Sequence, residues 1–158
     1  MMLFWDTSAV LATVLREPHS DAAQEAARAS SCSYAWNWLK VEAESALARR
    51  GATPTQWAAL AALLGAIRFD DIPSRELSTL CARNRGWRLR AADAGHLYCF
   101  TRVATVIPEI QLVGFDEEML AVARRLKLPI WAPSPPAVGK AGRVREASNV
   151  HRARRKRG

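Results

Sequence analysis

Several things are scarce in this chain, and each scarcity closes off a class of protein. Cysteine occurs three times in 158 residues, at Cys32, Cys81 and Cys99. An odd number, widely spaced and mostly in apolar surroundings, makes no disulfide framework, so reduced core thiols are expected. Histidine also occurs three times, and no His/Cys spacing fits a zinc site. No apolar run approaches the roughly 18 residues of a membrane span. MMLFWDTSAV has neither the basic start nor the cleavage site of a secretory signal, so a cytoplasmic protein without a membrane partner is expected. Acidic residues number 15 against 23 Lys and Arg, few enough that the position of each is informative.

What is present is ordinary for a globular domain: 49% hydrophobic and 24% charged residues, with length enough for one core. The net charge of +8 is unevenly placed. Residues 139–158 hold eight Lys or Arg against Glu146, which is +7 of the total and leaves +1 for the rest. The composition turns to Pro, Gly and charge after Trp131. Residues 1–131 are therefore expected to form one domain, and 132–158 a basic, disordered tail that favours RNA or DNA electrostatically without reading sequence.

Met1 to Trp5 is a continuous apolar run ended by Asp-Thr-Ser, the pattern of a buried strand meeting a helix N-terminus. Helices are expected to about Arg16 and over 20–29, then a strand over 32–34 and a helix from 36 to 50 stopped by Gly51. Thr53-Pro54-Thr55-Gln56 opens the next helix with a capping box and Pro at its first position. A strand over 69–72, a helix from Pro73 to about Asn84 ended by Gly86, a helix over 91–103, a strand over 111–115, a helix over 117–126 and a strand over 128–131 complete the pattern. Strands alternating with helices imply an α/β fold with a mainly parallel central sheet covered on both faces.

Four carboxylates interrupt apolar or small-residue stretches: Asp6 in LFWDTSAV, Glu42 in KVEAESAL, Asp93 in RAADAGHL and Asp116 in LVGFDEEM. Asp6 and Asp116 also fit as helix N-caps. Glu42 shares a helix face with Trp38, Leu39, Ser45 and Ala46, and Asp93 shares one with Leu89, Leu97, Phe100 and Ala104; both faces are expected to look inward. Burying such charges is costly without a counter-ion, and an oxygen-rich set suits Mg²⁺ or Mn²⁺. One or two such ions could activate water and neutralise a phosphodiester. Glu44 projects to the opposite side as a solvated charge. His96, one turn from Asp93, reads better as a satisfied core or supporting residue than as a ligand. Thr7 is a minor site candidate, because a hydroxyl beside Asp6 can orient water. Just before Asp93, RNRGWRLR places Arg83, Arg85, Arg88 and Arg90 around Trp87, a set able to hold RNA phosphates and stack a base. Trp5, Trp36, Trp38, Trp57 and Trp131 are expected in core or oligomer contacts.

In these motifs the chain resembles the PIN-domain ribonucleases, particularly the VapC-like toxins of bacterial toxin–antitoxin pairs. The resemblance runs from Met1 to about Trp131. It rests on a hydrophobic strand ending in DTSA (Asp6–Ala9), VEA before a small-residue helix (Val41–Ala43), a DAxHL-like segment (Asp93–Leu97) and a strand ending in Phe115-Asp116. It implies a three-layer α/β/α sandwich, metal-dependent hydrolysis of RNA, and acidic site positions at Asp6, Glu42, Asp93 and Asp116. It also implies homodimers and a cognate antitoxin, one segment of which occupies the active-site groove. Gly95 departs from the pattern, standing where a larger apolar residue is common. Two other readings are weighed against this one. A nucleic-acid-binding or regulatory module with little nuclease activity fits the tail but leaves the acids unused. A haloacid-dehalogenase-like phosphatase needs a second Asp two positions after the first, where this chain has Ser8.

Overall fold

The computed structural model describes residues 1–134, so the basic segment from 135 onward lies outside the described residues. The chain runs β1 (Met2–Trp5), α1 (Thr7–Val14), α2 (Ser20–Ala29), β2 (Cys32–Trp36), α3 (Leu39–Arg49), α4 (Pro54–Ala66), β3 (Ile67–Asp70), a 3₁₀ turn (Ser74–Glu76), α5 (Leu77–Trp87), α6 (Ala91–Val106), β4 (Gln111–Val113) and α7 (Glu117–Arg125). The strands form one sheet in the order β3-β2-β1-β4, and all its pairings are parallel. Among the described residues, no helix is long and apolar enough to cross a membrane.

Alternation along the strands divides the interior in two. Leu3 and Trp5 of β1, Ala35 of β2 and Val113 of β4 pack with α1 to α4. Phe4 and Leu112 face the other way, against Leu97, Phe100 and Val103 of α6 and Met119 and Leu120 of α7. Both faces of the sheet are thus covered, and the expected three-layer α/β/α sandwich is what the chain forms. Because β1 is central and apolar on both faces, its pattern is a run and not an alternation.

Several boundaries differ from the expectations. β2 continues to Trp36, paired with Asp70, so α3 begins at Leu39 and not at 36. β3 starts at Ile67, directly after α4, without a glycine stop. Gly86 does not end α5, which runs to Trp87. Arg88 then takes the left-handed conformation at φ 60°, and the Asn84 amide both donates to Leu89 O and accepts from Leu89 N, each at 3.0 Å. That side-chain clamp supplies the turn usually left to glycine. The last expected strand is a single parallel bridge between Leu112 and Ile130, because Pro129 has no N–H to extend the ladder. The capping box at Thr53 and Gln56 forms as expected.

Candidate active site

Helices leave the adjacent carboxyl ends of β1 and β4 toward opposite faces: α1 enters one core and α7 the other. Such a switch point opens a crevice beyond the strand ends, where parallel α/β sheets bind ligands. Asp6 and Asp116 stand there, and each does two things at once. Asp6 caps α1, its Oδ2 accepting from Ser8 N at 3.0 Å and from Ser8 Oγ at 2.5 Å, while Oδ1 lies 3.8 Å from His96 Nδ1. Asp116 caps α7 through Oδ1, which accepts from Met119 N at 2.8 Å, and turns Oδ2 toward Arg90. The capping and site readings of these residues therefore do not compete. Gly114 permits the approach of the two segments: a Cβ there would come within 3.1 Å of both Asp6 Cβ and Met119 Cε.

Asp93, in the first turn of α6, and Glu42, on α3, complete the ring of acids. Asp6 is 4% exposed, and the other three are partly buried. Glu42 Oε2 accepts from Thr7 Oγ1 at 2.7 Å and lies 2.6 Å from His96 Nε2. Burial works to raise the Glu42 pKa, but the hydrogen bonds from His96 and Thr7 and the His96 charge outweigh it and hold the group below the usual range. Burial likewise opposes charge on His96, which is 1% exposed. The hydrogen bond to Glu42 and the charges of Asp6, Glu42 and Asp93 overcome that and raise its pKa.

Asp93 is in the opposite condition. Burial, then repulsion from Asp116 and Asp6, pushes its pKa up against the opposing charges of Arg90 and His96. Its Oδ2 is buried without a hydrogen-bond partner, as is His96 Nδ1. Arg90 Nε comes within 3.2 Å of that Oδ2, an ion-pair distance without hydrogen-bond alignment. An orphaned carboxylate oxygen among repelling acids is the donor chemistry that a hard divalent cation satisfies. In the arrangement described, however, no group of three or more His, Cys, Asp or Glu side chains closes into a metal-holding set among the described residues.

The structure thus brings Asp6, Asp93 and Asp116 into one electrostatic group and links Glu42 to it through His96. It also amends the sequence reading. Ser8, not Thr7, orients Asp6 and also accepts Phe115 N at 2.8 Å, so it ties the ends of β1 and β4 together; Thr7 serves Glu42. His96 is buried as expected, yet only one of its nitrogens is satisfied. The inward face of α3 is Leu39, Ala43, Ala46 and Leu47. Glu42 lies at its margin, and Trp38 is 48% exposed, which removes the core half of the core-or-oligomer expectation for it. Glu44 is exposed, as expected. Trp38, Thr7, Leu11, Val41, Glu42 and Arg49 line a groove of about 350 Å³ between α1 and α3. Arg85 and Arg88 are exposed, whereas Trp87 is partly buried against the α6–α7 core and is a poor platform for a base. Arg90, expected to be an RNA contact, reaches Asp93 and Asp116 in this structure. The sequence offered only partial signals: Asp-x-Ser at a helix start, which does not separate Ser8 from Thr7, and Arg at i−3 from Asp93, which does not announce Asp116.

No family model and no curated protein matches the sequence. The fold is similar to that of VapC20 from Mycobacterium tuberculosis, a toxin that cleaves the sarcin–ricin loop. The two chains are 18% identical, with a TM-score of 0.54, and the match covers 76% of this chain and 94% of that one. That likeness bears out the expected PIN-like fold.

Proposed function

We propose that this chain is a divalent-metal-dependent endoribonuclease and the toxin of a toxin–antitoxin pair. The observation that carries the reading is the gathering of Asp6, Glu42, Asp93 and Asp116, from four separate segments, around the switch point of a VapC-like fold. Asp6, Asp93 and Asp116 would hold Mg²⁺ or Mn²⁺, with Glu42 beside them. When bound, the ion supplies Lewis acidity toward water and neutralises charge on the phosphodiester. Ser8 fixes the Asp6 carboxylate through two hydrogen bonds. His96 and Thr7 hold Glu42 ionised, ready to orient a water by accepting its hydrogen. Arg85 and Arg88 offer phosphate contacts, and exposed Trp38 beside Arg49 offers a stacking surface at the groove leading from Glu42. A homodimer and a cognate antitoxin occupying the acidic groove belong to the same reading, as does a cytoplasmic location.

A second reading, RNA binding with little turnover, is favoured by the open arrangement of the acids. Cleavage assays separate the two. Mg²⁺ or Mn²⁺ should support cutting and EDTA should stop it. Asp6→Asn or Asp93→Asn should each cost on the order of 10³-fold in rate while leaving the fold intact. Equal cleavage in EDTA, or full activity in Asp93→Asn, would reject the nuclease reading as stated.

A further inference from the structure

The acidic ring carries its own stand-in for a cation. Arg90 Nε lies 3.2 Å from Asp93 Oδ2 and Arg90 Nη2 3.3 Å from Asp116 Oδ2, so one guanidinium bridges the start of α6 to the start of α7. Both acids are anchored by other means, Asp93 by its helix and Asp116 by its cap on Met119. The Arg90 backbone is held from behind by the Asn84 clamp on Leu89. Its side chain, by contrast, is 73% exposed and caps nothing. The contact to Asp93 leaves Oδ2 without a true hydrogen bond. A fixed root, an exposed head, one long hydrogen bond from Nη2 to Asp116 Oδ2 at 3.3 Å and a poorly aligned contact to Asp93 make the bridge easy to exchange.

We infer that Arg90 is a displaceable internal counter-ion: it neutralises Asp93 and Asp116 in the metal-free protein, gives way when a divalent cation binds there, and then serves a substrate phosphate. The inference rests on the reading of these acids as a cation site. A cation bonds carboxylate oxygens at about 2.1 Å, closer than either guanidinium contact. While Arg90 spans the two acids at 3.2 and 3.3 Å, its guanidinium occupies the side of both oxygens that such a cation would bond. Arg90 and the cation compete for the same two oxygens, so the arginine lowers metal affinity even as it protects the acids from one another. Once released, its guanidinium lies on the same exposed stretch as Arg85 and Arg88, where it can form paired hydrogen bonds to phosphate.

The test measures Mn²⁺ binding to the full chain without RNA, by the loss of the free-ion electron paramagnetic resonance signal. Arg90→Gln should bind Mn²⁺ roughly tenfold more tightly than wild type, and Arg90→Lys, which keeps charge but cannot bridge, should fall between. Arg85→Gln, on the same basic stretch without an acidic partner, should leave metal affinity unchanged. In Mn²⁺, Arg90→Gln should raise KM for RNA more than it lowers kcat. Equal Mn²⁺ affinity in wild type and Arg90→Gln overturns the counter-ion while leaving the metal site standing. An equal gain in Arg85→Gln attributes the effect to net charge and also overturns it. No Mn²⁺ binding by wild type removes the metal site itself, and the inference with it.

Discussion

The two halves of the acidic ring solve the same problem in opposite ways. On the α3 side, Glu42 is met by Thr7 and by His96 at 2.6 Å, and its charge is compensated from within the protein. On the α6–α7 side, Asp93 and Asp116 repel each other and share only an exposed arginine held by loose contacts. The first half is built for stability in the absence of any ligand. The second stores repulsion that a bound cation would relieve, and sites of that kind trade folding stability for function.

The largest expected effect sets the two halves directly against each other. His96→Ala removes the partner of Glu42 and leaves a cavity in the core, so it should destabilise the metal-free protein by about 3 kcal/mol. Asp93→Asn removes a charge that burial and the neighbouring acids disfavour more than Arg90 and His96 offset it. It should raise the metal-free Tm slightly, by about 1–3 °C, while abolishing any gain on adding Mn²⁺. Thermal unfolding with and without Mn²⁺ reads both. If Asp93→Asn destabilised as strongly as His96→Ala, the contrast between compensated and uncompensated halves would be gone.

A smaller effect probes how the compensated half is built. His96 is gripped from its far side by Trp36, packed edge-on at 5.3 Å and 82°, and Trp36 fits only because residue 95 is glycine. A Cβ at Gly95 would lie 2.3 and 2.4 Å from Trp36 Cζ3 and Cη2, so Gly95→Ala must move the indole. It should cost about 2 kcal/mol and loosen His96. Trp36→Leu in the Gly95→Ala background should recover part of that loss, and failure to recover any would place the strain elsewhere.

Gly95 also shows which features were legible in the sequence. It stood out there as a departure from the resembled pattern, but its reason lies in Trp36, 59 positions away, which the chain pattern had placed at the start of a helix. The layered α/β architecture, the switch-point acids and the capping box could be read because each rests on local periodicity or a short motif. Features that depend on which side chains meet across elements could not. Trp38 looked inward on a helical wheel, yet the true inner face is set by where α1 and α4 pack. Ser8 and Thr7 were adjacent hydroxyls with no local signal to say which would serve Asp6 and which Glu42. Arg90 looked like an RNA-phosphate contact on a basic stretch, and nothing local announced that Asp116 would lie beside it.

The smallest expected effect is the pH dependence of stability without metal, which follows from the signs of the shifts in the compensated half. The folded protein holds the His96 pKa above its ordinary 6.5. The resulting stabilisation is full below pH 6.5 and is lost as pH rises through the higher folded value. Glu42 is held below its ordinary 4.5, so its contribution is full above pH 4.5 and is lost as pH falls through the folded value. The Tm measured in EDTA should therefore be highest between roughly pH 4.5 and 6.5 and should fall on both sides. His96→Gln should flatten the alkaline fall and also shrink the acidic one, because the His96 hydrogen bond and charge both help to lower the Glu42 pKa and only the Thr7 hydrogen bond would remain. An alkaline fall that persisted in His96→Gln would assign it to groups outside the ring, and the Glu42–His96 pair would then be held together by packing more than by charge.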